Sequence, residues 1–165
     1  MNSGEVGAAL AEVFRELVDG TNESVGPFVL NSGDVGLLRS IHKLTPHEAS
    51  HSVNGGATIA AHVQHLRLGL SLMNRWAAEG GDPFADPTWD EAWKTSAVDE
   101  PQWEEIRNGL REASNRWLQV LKTPRELKDV ELNGMIGSIA HVAYHLGAIR
   151  QITKAARGPR GGTFA

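Results

Sequence analysis

Apolar residues recur three or four positions apart over four long stretches of the chain, the period of a helix with one buried face. The first stretch runs from Glu5 to Asp19, with Val6, Leu10, Val13, Phe14 and Leu17 on one stripe and Gly20 as its stop. The second runs from about Thr58 to Glu79, with Ile59, Val63, Leu66, Leu70, Met73 and Ala77 on its core face. Gly80-Gly81 ends it, and Asp82-Pro83 prevents its resumption. The third starts at Asp99 as N-cap, with Pro101 in the first turn, and its stripe reads Trp103, Ile106, Leu110, Ala113, Trp117 and Leu121. The fourth spans about Asn133 to Ala156 and is stopped by Gly158-Pro159.

The connections carry weaker helical pieces. Asp34–Ile41 can form two turns, Thr45-Pro46 caps a short helix to Ser50, and Trp89–Trp93 reads as another. Phe28-Val29-Leu30 is ambiguous between strand and coil. The pattern predicts an all-α protein, a four-helix bundle with short extra helices in its connections. No repeat or linker divides it, so residues 1–165 read as one domain, with a flexible tail from about residue 157.

Composition narrows the function. Hydrophobic content of 41% and charged content of 22% are those of an ordinary globular chain. A formal net charge of -4 and scattered Lys and Arg give no footprint for nucleic acid. The chain has no cysteine, which excludes disulfides, thiolate nucleophiles and cysteine-based zinc sites. Neither a signal-peptide layout nor a membrane-length apolar run is present, and cytoplasmic residence is the expectation.

The histidines carry the candidate chemistry. His141 and His145, four apart in an apolar run, project from one side of the last helix, where two imidazoles can share a metal ion. The spacing alone is not decisive, because His47 and His51 repeat it in a short polar segment that reads as solvated; His42 is equally uncommitted. Gly134, Gly137 and Gly147 interrupt the last helix at about 1 kcal/mol each in propensity and allow close approach of a neighbour or a ligand. On the second helix His62 and His65 lie about 60° apart around the axis, so either can supply a third ligand. Arg150 and Tyr144 are candidate substrate contacts, with a salt bridge and a surface position as their plainer readings. The five tryptophans read as core and staple groups, and Glu91, Glu104 and Glu105 as solvated charges.

The segment Thr58-Ile59-Ala60-Ala61-His62-Val63-Gln64-His65-Leu66-Arg67, taken with Ser138–Gln151, resembles the DinB/YfiT-like superfamily of metalloenzymes. That resemblance spans nearly the whole chain in helix order. It implies an up-down-down-up topology with a long crossover, for which Thr21–Ala57 is the expected stretch. It also implies metal ligands at His141, His145 and, by its "HL" step, His65, leaving His62 as an additional ligand or neighbour. Characterised members include transferases and isomerases that use small thiols such as bacillithiol or mycothiol, and members often form homodimers.

Three imidazoles leave a divalent ion, Zn or Ni by ligand type, with its full charge and an open position. The expectation is therefore a metal-dependent enzyme acting on a small molecule through an activated thiol or water, with a low-molecular-weight thiol as candidate cosubstrate. The rival is a non-enzymatic, metal-stabilised binding or stress-response module, which a closed four-ligand site would favour.

Overall fold

The computed structural model describes residues 3–82, 85 and 89–159, and every described element is helical. Four long helices dominate: α1 (Ser3–Asp19), α4 (Ile59–Glu79), α6 (Glu100–Lys122) and α7 (Asp129–Ile152). Three short ones, α2 (Gly36–His42), α3 (Pro46–Ala49) and α5 (Trp89–Trp93), sit in the connections where short helices were expected. Among the described residues no strand forms, and no helix is long and apolar enough to cross a membrane.

Local chemistry sets the helix starts. The Thr58 hydroxyl accepts from the Ala61 N–H at 3.2 Å and opens α4. Thr45 with Glu48, and Asp99 with Gln102, form reciprocal capping boxes at α3 and α6. α7 begins four residues earlier than Asn133, because the Glu131 carboxylate accepts from the Lys128 N–H at 2.8 Å and Asp129 adds negative charge to the first turn. It also ends earlier, at Ile152; Thr153 turns extended, and one 3-10 turn covers Lys154–Ala156. Arg157 Nε then donates to the Arg150 carbonyl at 3.0 Å, and Asn31 Nδ2 to the Pro159 carbonyl at 2.8 Å. Pro83 and the tail beyond Pro159 lie outside the described residues.

One hydrophobic core draws on all four long helices and on α2. Its largest members, Trp103 and Trp117, are fully buried and have their indole N–H groups satisfied. Trp103 Nε1 donates to the Leu44 carbonyl at 2.9 Å, and Trp117 Nε1 to Ser138 Oγ at 2.8 Å. α1 and α4 each pack on both α6 and α7. Arg67 meets Glu105 at 3.1 Å and Asn74 meets the Ala113 carbonyl at 2.9 Å, so α4 and α6 run in the same direction. His62 meets His145 and His65 meets His141, so α7 runs against α4. A connection between parallel neighbours must return along the whole helix length, so the long crossover expected over Thr21–Ala57 falls instead between the end of α4 and the start of α6.

That longer stretch is anchored by groups the helical period does not reveal. The buried Glu16 carboxylate accepts from the backbone N–H groups of Phe28 (2.8 Å), Val29 (2.8 Å) and Leu30 (2.6 Å). The ambiguous 28–30 run is thereby held as coil rather than strand. Gly20 and Gly36, at φ 101 and 73, then pack backbone to backbone where the chain turns into α2, an approach that a Cβ at either position would block.

Candidate metal centre

The antiparallel pairing of α4 and α7 brings four imidazoles together. His65 Nε2 lies 3.1 Å from His141 Nε2, and His145 Nε2 lies 2.9 Å from the same atom. The ligand nitrogens of His65, His141 and His145 all fall within 4.8 Å of one another, a group that can hold a metal ion. No carboxylate belongs to it among the described residues. His62 takes a different place: its Nδ1 lies 2.8 Å from His145 Nδ1, the ring nitrogen opposite the point of convergence. The choice left open between His62 and His65 is thus made by geometry, with His65 in the cluster and His62 behind His145.

With all rings neutral, His141 Nε2 shares its bond between the two neighbours, either accepting from His65 Nε2–H and His145 Nε2–H while His62 Nδ1–H donates to His145 Nδ1, or donating to both while His145 Nδ1–H donates to His62 Nδ1. His65 Nδ1 is buried and without a hydrogen-bond partner. The cluster also fits a cation. Tetrahedral Zn–N bonds of about 2.0–2.1 Å space adjacent ligand nitrogens by roughly 3.3–3.4 Å, a small expansion of the two short contacts. With three lone pairs turned inward, each Nδ1 carries the proton, and that of His145 has His62 Nδ1 as its acceptor.

Burial sets the charge state. It pushes the His65 imidazole down to about 4 and His145 to about 3, with the neighbouring imidazoles adding to both. Burial also lowers His62 and His141. At neutral pH the cluster therefore offers lone pairs, and protons compete weakly with a metal for them.

Two tryptophans wall the cluster. Trp93 stacks on the His65 ring at 4.3 Å and stands edge-on to His62 at 5.5 Å; Trp89 lies 5.2 Å from His65. Sequence reasoning treats both as staple groups. Their four-residue spacing in Trp89-Asp90-Glu91-Ala92-Trp93 was a signal for a two-ring wall, but nothing local says that the wall faces histidines. Beside the cluster lies a cavity of about 790 Å³, with His65 and His141 on its lining and Leu70, Met73, Trp76 and Trp89 among its walls.

The other candidates sit elsewhere. Arg150 Nη2 pairs with Asp34 Oδ1 at 2.7 Å, away from the histidines. Tyr144 is 71% exposed, with its ring edge-on to His145 at 5.1 Å. His47 and His51 belong to the α3 segment and do not join the cluster.

Fold and site together define an all-helical protein with a three-histidine candidate metal centre opening on an apolar cavity. No family model, no curated protein and no solved structure matches the chain.

Proposed function

We propose that the protein is a DinB/YfiT-like four-helix bundle of up-down-down-up topology that binds one divalent ion, Zn or Ni, through His65, His141 and His145. In this reading it is a metal-dependent enzyme for transfer, isomerisation or hydrolysis on a small molecule. The parallel run of α4 and α6 and the opposed run of α4 and α7 support the topology. The observation that carries the metal reading is the meeting of three buried or half-buried imidazole nitrogens beside a cavity.

When bound, such an ion acidifies a water or thiol at its open position toward neutral pH. The chain's own groups prepare for this. Desolvated His65 and His145 stay neutral and keep their lone pairs available. His62 holds the His145 ring in one orientation through the 2.8 Å contact. Trp93 covers one face of the His65 ring, and the cavity leaves the His65–His141 side for a substrate. A structural metal module would require a fourth protein ligand, and the described residues supply three, which favours the enzyme over that rival. Homodimerisation belongs to the same proposal; exposed Ile136 and Tyr144 on α7 supply apolar surface for it, and light scattering reads it directly.

The test is elemental analysis of tag-free protein after incubation with Zn or Ni and removal of excess ion. The expected result is about one ion per chain, lost in His141→Ala and His65→Ala and retained but weakened in His62→Ala. Failure of the parent protein to retain either ion would overturn the proposal. Thiol-conjugation and hydrolysis screens on loaded and stripped protein then address the reaction.

A further inference from the structure

We propose that the cavity beside the histidines binds an uncharged, largely hydrocarbon small molecule whose single polar head points at His65 and His141. This deepens the metal-centre reading and rests on it for the head group alone. Three observations carry it: the composition of the wall, its charge, and two glycines of α7.

Leu70, Met73, Trp76, Trp89 and Val130 make the wall apolar, and a volume of about 790 Å³ suits a drug-sized ligand. Few polar groups remain free to recognise one. Ser138 Oγ is already engaged, donating to the Met135 carbonyl at 2.7 Å and accepting from Trp117 Nε1. Asn133 is exposed at the edge. A hydroxyl-rich molecule, including a sugar thiol, would leave most of its polar groups buried without partners.

Neither Lys nor Arg stands among the described residues of the wall, and its carboxylate, Asp82, already has an interaction partner. In the metal-free form an anion would be desolvated there with no countercharge, and a cation meets, among the described residues of the wall, only Asp82, which is exposed and already engaged. The histidines at the inner end are the groups left to meet a donor atom, as thiol, alcohol or carbonyl.

The α7 glycines shape the space differently. At Gly134 a Cβ would lie 2.8 Å from the Trp76 ring, so that indole rests on bare helix backbone and becomes a wall. At Gly137, also on the lining, a Cβ would meet nothing within 4 Å. A side chain at 137 would enter the space a ligand needs without displacing the protein. Gly147, on the same helix, is equally unobstructed but is not on the lining, which makes it the matched control.

Calorimetric titration of zinc-loaded and chelator-stripped protein with naphthalene, 2-naphthylmethanethiol and naphthalene-2-sulfonate tests the assignment. Expected are naphthalene binding to both forms, at least tenfold tighter binding of the thiol to the loaded form, and no measurable binding of the sulfonate to the stripped form. Gly137→Phe, or Gly137→Met should the larger side chain impair folding, is expected to weaken the neutral probes at least tenfold at unchanged zinc content. Gly147→Phe should leave them as in the parent. Equal binding of the sulfonate and naphthalene to the stripped form, or undiminished binding in both Gly137 variants, would overturn the assignment while zinc uptake leaves the metal reading standing. If zinc does not bind but naphthalene does so in a Gly137-dependent way, the metal reading and the head-group placement fall and the apolar cavity assignment stands.

Discussion

Single side chains hold parts of this molecule that no periodic pattern announces. Glu16 lies one position from Leu17 on α1 and in sequence is one acidic residue among many. In the fold it is 1% exposed, and its carboxylate accepts three backbone N–H groups from residues 28–30. Glu16→Gln places an amide N–H₂ where only acceptors fit, and the loss is expected to be about 2 kcal/mol from the disrupted charge-assisted bonds. Urea denaturation measures it; an unchanged midpoint would show that the loop needs no such anchor. Trp93 teaches the same lesson at the site. Its apolar bulk is legible in sequence, but its stacking on His65 depends on where the 80–99 connection returns.

Among the elements, α7 joins most of the molecule's special features. Its apolar residues are not confined to one stripe, because one side meets the core, another borders the cavity, and Ile136 and Tyr144 remain exposed. A helix apolar around much of its circumference gives a blurred start, and its true N-terminus comes from the Glu131–Lys128 contact. Its far end is tied down by Arg150, whose guanidinium meets Asp34, a residue 3% exposed that also accepts from the Gly36 N–H at 2.9 Å. Arg150→Met leaves that carboxylate buried without its countercharge and should destabilise the protein by about 3 kcal/mol. Zinc content should not change. Thermal melts with metal analysis separate this from a substrate role, which would instead lower ligand binding at an unaltered melting temperature.

For the molecule as a whole, the buried histidines link stability to pH. In the unfolded chain each imidazole titrates near 6.5, whereas in the metal-free fold burial brings His65 to about 4 and His145 to about 3. Between these values the unfolded state binds more protons, so stability is full above about pH 6.5 and falls as the solution is acidified toward pH 4 and then 3. Each histidine contributes a slope of about 1.4 kcal/mol per pH unit within its window. Denaturant unfolding of chelator-treated protein at pH 7 and pH 5 should show the lower stability at pH 5; equal values would mean that the cluster is solvated.

Four helical stretches, three of them with an apolar stripe, two capped helix starts and the placement of His141 and His145 on one side of α7 follow from the sequence by itself. Each depends on contacts no more than about one turn apart, which the helix period makes calculable. The tertiary structure alone decided that His65 joins the pair and His62 stands behind His145. That choice depends on how α4 is rotated about its axis against α7, a matter of packing between segments some eighty residues apart. The same holds for the Trp93 wall, the apolar cavity and the burial of Glu16. No local rule encodes which face a distant element will cover, and it is this covering that turns spaced histidines into a desolvated cluster able to hold a metal ion.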